Sequence, residues 1–242
     1  DDVRAPQFAQ LVRAFMPDVL DLQEYSLHMH QRFYPLIRRY GYRIAYEGEE
    51  PWNNTPIFYN PETVELVDVN YVLYAPSCWS NIGSKSYTSA VFRKKDTGRL
   101  FAVVNTHLWW KSEAAQPGST YARAAQVRLM MAEAEVLKNK YGCTIFVTGD
   151  MNAYEDSLPI RQFIEGGYTP CYKAATDATD NGNGHHICGP KDGYSRTSRR
   201  RSPDREKGAI DHCFIYNAQE GVAVKVFDCI TARFTVKLTA HY

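Results

Sequence analysis

Cys143-Thr144-Ile145-Phe146-Val147-Thr148-Gly149-Asp150-Met151-Asn152 is an apolar, β-branched run that ends in a carboxylate and a carboxamide two residues apart. β-Branched residues suit a pleated strand, and a near-continuous apolar run suits a strand buried on both faces. The stretch therefore predicts an inner strand delivering Asp150 and Asn152 at its end, the place where open α/β sheets keep their chemistry. A second such run, Leu100 to Val104, ends in Asn105-Thr106-His107-Leu108, and a third, Asp18 to Leu22, ends in Gln23-Glu24. Three strands thus end in groups able to bind a metal or move a proton.

Around these strands the periodicity changes. Phe8, Leu11, Val12 and Phe15 recur at helical spacing within Pro6 to Met16, predicting an amphipathic helix with those four on its inner face that stops before Pro17-Asp18. A second helix is expected from about Leu27 to Arg39. The longest runs from Tyr121 to Tyr141, with Val127, Met130, Met131, Ala134 and Leu137 inward, and a short one spans about Ser157 to Glu165. Strands are expected at Gly41 to Tyr46, Ile57 to Tyr59, Val64 to Val69, Ser86 to Arg93 and Arg99 to Thr106, the last two joined by a turn at Asp96-Thr97-Gly98. Ala209 to Tyr216, Val222 to Phe227 and Ile230 to Val236 close the chain as strands. Between Gly167 and Gly208, Asn-Gly, Gly-Pro and Asp-Gly dipeptides argue against regular structure. Hairpins alternating with helices imply mixed sheets with helices outside, an α/β or α+β fold.

The chain has 242 residues, 44% of them hydrophobic and 13% aromatic, which suits one domain, 1–242, with a large core. No apolar run approaches the roughly 18 residues that cross a bilayer, so a soluble protein is expected, cytoplasmic or exported with its leader removed. A net charge of +1 provides no global field for nucleic acid. Locally, the segment Arg196 to Lys207 holds Arg196, Arg199, Arg200, Arg201, Arg205 and Lys207 and reads as a basic loop, either a solvated loop or a grip on substrate phosphate. Of six scattered cysteines, Cys143 and Cys213 sit in strands as buried thiols, and Cys171 and Cys188 flank a polar loop where a disulfide is one possibility. Oligomeric state is not legible.

Glu24, His107, Asp150, Asn152, Asp211 and His241 are the candidate site residues. Singly, each has an ordinary explanation: an Asp after a strand is commonly a turn former, and a strand-end His is commonly a hydrogen-bonded surface residue. Their order and wording, however, resemble the endonuclease/exonuclease/phosphatase superfamily across nearly the whole chain. Pro17-Asp18-Val19-Leu20-Asp21-Leu22-Gln23-Glu24 is similar to its PDVxxLQE motif. Asn105-Thr106-His107-Leu108, Tyr121-Ala122-Arg123 with Gln126, Gly149-Asp150-Met151-Asn152 and Ile210-Asp211-His212 follow in the family's order. The closing SDHxP motif has its nearest counterpart in Thr239-Ala240-His241-Tyr242, with alanine at the acidic position; the other alignment makes Asp211-His212 the terminal pair. The family's first strand, bearing a metal-site Asn, and its last strand have no counterpart, which points to a cropped domain.

The resemblance implies a four-layer α/β/β/α sandwich of two mixed, mostly antiparallel sheets with helices outside. It also implies a metal-dependent phosphodiesterase or phosphatase using Mg²⁺, with Mn²⁺ as substitute. Glu24, with Asp150, would hold the metal; Asp150 would orient or deprotonate the attacking water, with Asn152 hydrogen-bonding the phosphate or the water beside it; His241, steadied by Asp211, and His107 would contact phosphoryl oxygens. Independently of the resemblance, Trp109, Trp110 and Lys111 directly follow the His107 strand end, where they either stack on a base or lipid headgroup of a phosphoester substrate or pack in the core or at the rim, and the arginines at 199–201 are the candidate phosphate contacts. Two alternatives stay open: a phosphate-ligand binding protein impaired in turnover, motivated by Ala240, and a DNase-like nuclease, which the near-neutral charge disfavours.

Overall fold

The computed structural model describes residues 2, 4–48, 52–74, 85–178 and 210–227. In chain order the elements are α1 (Arg4–Phe15), β1 (Val19–Asp21), α2 (Leu27–Arg38), β2 (Arg43–Ile44), β3 (Ile57–Tyr59), β4 (Val64–Leu73), β5 (Ser86–Lys94), β6 (Leu100–His107), α3 (Ser119–Tyr141), β7 (Thr144–Asp150), α4 (Leu158–Glu165), β8 (Thr169–Pro170), α5 (Cys171–Ala174), β9 (Asp177–Ala178), β10 (Asp211–Tyr216) and β11 (Val226–Phe227). They form a three-stranded sheet, β1-β3-β2, a six-stranded sheet, β4-β5-β6-β7-β10-β8, and a small pair, β11-β9. In the larger sheet β6 and β7 are parallel and its other pairings are antiparallel. The parallel pair requires a crossover connection, and the 23-residue α3 provides it.

Burial sorts these elements into four layers. Phe58 of β3 packs outward against Ala5, Ala9 and Val12 of α1 and Phe33 and Ile37 of α2. Its neighbours Ile57 and Tyr59 face the other way, onto Ala90, Phe92 and Val103 of the larger sheet. The far side of that sheet, including Val104, Ile145, Val147 and Phe214, meets Val127, Met130, Ala134 and Leu137 of α3 and Ile160 and Phe163 of α4. The inner strands β5, β6 and β7 are thus largely buried on both faces, as inner strands require.

Most expected elements are present, and the differences have local causes. In α1 the buried stripe is Ala5, Ala9 and Val12, while Phe8 and Phe15 are exposed; small alanines let α1 lie close to α2, and helical period alone admits either stripe. Within the stretch expected to be irregular, β8 and α5 dock on β10. Only Val226–Phe227 of the expected strand 222–227 is extended. Cys143 and Cys213 are free thiols, as is Cys171, whose sulfur lies 3.1 Å from that of Cys213. Cys188 and the strand expected at 230–236 lie outside the described residues. No helix among the described residues is long and apolar enough to cross a membrane.

Two features carry measurable consequences. Asp21 points its carboxyl between the sheets: Oδ2 accepts a hydrogen bond from Thr148 at 2.7 Å, and Oδ1 is buried without a partner. Burial pushes its pKa up to about 6, against which the Thr148 bond acts only partly. A carboxyl raised in the folded state favours folding when protonated. The contribution is therefore fully present below the unfolded value near 3.8 and is lost as pH rises through about 6, a change of about 3 kcal/mol. Asp21→Asn keeps an acceptor for Thr148 and removes the charge. Thermal melts should show its Tm about 5 °C above wild type at pH 7.5 and the same at pH 4; an equal shift at both pH values would contradict this account.

Gly149, with φ +144°, pairs with Thr106, and a Cβ there would sit 2.1 Å from the Thr106 carbonyl oxygen. Only glycine lets β6 and β7 approach this closely. Gly149→Ala should cost more than about 2 kcal/mol in denaturant unfolding, whereas Gly98→Ala, with open space around it, should cost about 1 kcal/mol or less from its positive φ.

Candidate functional site

The parallel pair places the ends of β6 and β7 together: His107 is opposite Asp150, and Asp150 is in turn opposite Asp211 of β10. Strand alternation decides which face these residues take. Val103 faces the smaller sheet, and so does Asn105, which bonds to Leu22 and Pro56; His107 follows with the same parity. On β7, Thr148 reaches Asp21 across the sheets and Asp150 comes two residues later.

From the opposite sheet, β1 leads into Glu24, which adopts φ +53°. A left-handed glutamate is strained, and its neighbours hold it there. The Gln23 amide donates to Asn105 Oδ1 at 2.6 Å, Tyr25 N donates to Asn54 O at 3.1 Å, and the Tyr25 ring is buried against Trp52, whose indole N–H donates to Tyr25 O at 2.6 Å. Asn152 is also left-handed, φ +46°, a conformation asparagine tolerates. Its N–H donates to Asp150 Oδ1 at 2.9 Å and its side-chain amide to Leu108 O at 3.1 Å. Asp150 thus does act as a turn former, and its other oxygen, Oδ2, lies 3.7 Å from His107 Nε2.

These groups meet in a cleft of about 460 Å³ lined by Glu24, Asn54, Lys85, His107, Trp110, Asp150 and Asn152. Lys85 is buried, and its Nζ is hydrogen-bonded to His107 Nε2 at 2.5 Å. Desolvation depresses its pKa to about 8, and the Asp150 and Glu24 carboxylates oppose that fall. Lys85 and Asn54 escaped the sequence reading. The expected hairpin contained the signal for the lysine: its register pairs Tyr87 with Thr106, so the residue just before β5 must lie at the His107 end of β6.

Trp109 is buried, with its indole N–H donating to Ser119 Oγ at 3.1 Å; the tryptophan that lines the cleft is Trp110. Asp211 lies beside Asp150 in the ladder without lining the cleft. Its neighbour His212 is bonded through Nε2 to Ala153 O at 2.7 Å, and burial holds its pKa below the usual imidazole value. His241, Ala240 and Arg199, Arg200 and Arg201 lie outside the described residues.

The donor set bears on metal binding. Two carboxylates and two amide side chains face one cleft, and among the described residues no group of three or more His, Cys, Asp or Glu side chains could cage an ion. The two carboxylates fit a hard cation that keeps part of its water shell and takes one or two carboxylate ligands.

Comparison with known proteins agrees with this architecture. Among solved structures, an endonuclease/exonuclease/phosphatase family protein from Bacteroides thetaiotaomicron superposes with a TM-score of 0.67 at 18% identity, covering 88% of this chain and 74% of that one. A mannosyl-6-phosphatase from Bacteroides thetaiotaomicron VPI-5482 gives 0.67 at 19% identity, over 88% of this chain and 76% of that one. The human Nocturnin catalytic domain gives 0.63 at 20%, over 89% and 74%. These likenesses concern the fold. No curated protein sequence matches. The model of the endonuclease/exonuclease/phosphatase family matches residues 3–235, and the chain belongs to that family of phosphoesterases.

Proposed function

We propose that this protein hydrolyses phosphate esters by in-line attack of water on phosphorus, with a bound divalent cation, Mg²⁺ or in its place Mn²⁺. The observation that carries the reading is the convergence of Glu24, Lys85, His107, Asp150 and Asn152, from separate segments, on one cleft. Such hydrolysis needs an oriented water, relief of phosphoryl charge and a stabilised leaving oxygen.

Glu24 and Asp150 would hold the cation, which when bound would neutralise phosphoryl charge and that of the departing oxygen. Asp150 accepts the proton of the attacking water, its carboxylate already fixed by the Asn152 N–H. Asn152, steadied by Leu108 O, aligns the phosphate or the water beside it. Lys85 and His107 act as a pair in which the proton sits on either nitrogen. As an ammonium, Lys85 has N–H groups left over from its bond to His107 to offer a phosphoryl oxygen, so this pair carries the role expected of His107. Asp211 and His241 keep the parts that the family motif suggests, tautomer support and donation to a phosphoryl oxygen, and Arg199, Arg200 and Arg201 that of phosphate contacts.

With Mg²⁺, the full chain should cleave an aryl phosphomonoester or phosphodiester, lose that activity in EDTA and recover it on adding the metal back. Asp150→Ala should lower kcat about 10²- to 10⁴-fold, and Glu24→Gln should raise the Mg²⁺ concentration needed for half-maximal rate. Tight metal-dependent binding of phosphorylated ligands by the wild type, with no turnover of any ester, would overturn the hydrolase reading in favour of a binding protein.

A further inference from the structure

Trp110 stands out on the cleft wall because it is 59% exposed and yet sits on a hydrogen-bonded stretch of backbone. Apart from His107 it is the only ring among the cleft's described lining residues. The backbone on either side of it is held from below. The buried Arg123 guanidinium donates through Nη1 to Trp109 O at 3.2 Å and to Lys111 O at 2.7 Å. Gln126 Oε1 accepts from Trp109 N at 2.9 Å, and Leu108 O accepts from Asn152. Burying a charge is costly unless it is hydrogen-bonded, and the bonds made by this guanidinium go to the two carbonyls that bracket one exposed residue. The buried Trp109 lies beneath, its ring centroid 6.5 Å from that of Trp110, and the Lys111 ammonium lies 5.8 Å from each.

The result is an exposed indole carried on a pinned backbone beside Glu24, Asp150 and Asn152. A large exposed aromatic beside a polar cleft offers a flat apolar face to another ring, and such faces stack in offset or edge-on geometry. Phosphorus bound among the carboxylates and Lys85 would leave the alcohol portion of the ester pointing out of the cleft, towards its rim.

Resting on the hydrolase reading, we propose that Trp110 is the platform for the alcohol portion of the substrate, which selects phosphate esters carrying a ring face near the phosphorus. An aryl ring and the C–H face of a sugar ring share that chemistry.

Steady-state kinetics of the full chain with Mg²⁺ would compare phenyl phosphate and a hexose 6-phosphate with the ring-free glycerol phosphate and phosphoethanolamine. Trp110→Ala should raise KM about tenfold for ring-bearing esters, about 1.4 kcal/mol, with kcat within about twofold, and leave the ring-free esters unchanged. Trp110→Phe should restore most of the lost KM, and the ester with the larger change identifies the preferred ring. A uniform KM change across all four esters, or none for either ring-bearing ester, overturns the proposal.

Binding of the hydrolysis-resistant phenylphosphonate and methylphosphonate, followed by calorimetry, separates this inference from the function it rests on. Wild type should prefer the phenyl compound about tenfold, and Trp110→Ala should bind the two equally. That pattern without turnover of any ester would remove the hydrolase reading and leave the ring platform standing. Turnover with equal phosphonate affinities, or no binding of either phosphonate, would remove the platform.

Discussion

The carboxamide of Asn105 joins the two sheets at the end where the cleft opens. Fully buried, it accepts from Gln23 Nε2 and donates to Leu22 O at 2.8 Å and Pro56 O at 3.1 Å. Apolar packing between sheets is non-directional and would tolerate sliding of one sheet over the other; three hydrogen bonds from one planar group do not. Gln23 precedes Glu24, and Asn105 comes two residues before His107. The same contact therefore sets how far the Glu24 side of the cleft stands from the His107 side.

Polar contacts continue beside it. Asn53 donates to Thr88 Oγ1 and Tyr46 O and accepts from Thr55 N, while Thr55 and Ser86 share a hydroxyl contact at 2.8 Å. Towards the other end of the interface the filling is Ile57, Tyr59, Val64, Phe92 and Val103. The sandwich is thus cohesive through apolar area at one end and oriented by hydrogen bonds at the other. Buried polar groups in a fully bonded network specify a unique arrangement, and here that end adjoins the functional groups. Local strain gathers there as well: Glu24 and Asn152 take left-handed conformations, and Asp21 keeps a carboxyl oxygen without a partner. Such costs persist where the surrounding structure holds them in place.

Much of this was readable from residue order. The inner strands ending at His107 and Asp150 announce themselves by β-branched runs, and α3 by its Val127, Met130, Ala134 and Leu137 spacing, all four buried. The family motifs placed Glu24, Asp150 and Asn152, and these three do line one cleft. Other assignments needed the fold. Two stripes of α1 satisfy helical periodicity, and close packing against α2 chose the alanines. Two adjacent tryptophans follow His107, and only Ser119 and Gln126 of α3 determine that Trp109 turns inward. Lys85 has no motif of its own.

Local sequence by itself determined the elements and the chemistry at their ends, because periodicity, β-branching and turn residues act within a few positions along the chain. Tertiary structure decided which ends meet. The register of β6 on β7, the Asn105 clamp and the burial of Lys85 among carboxylates join residues distant in the chain, and no pattern within one segment encodes the distance to another. The cleft exists because those long-range contacts close on the same edge of both sheets.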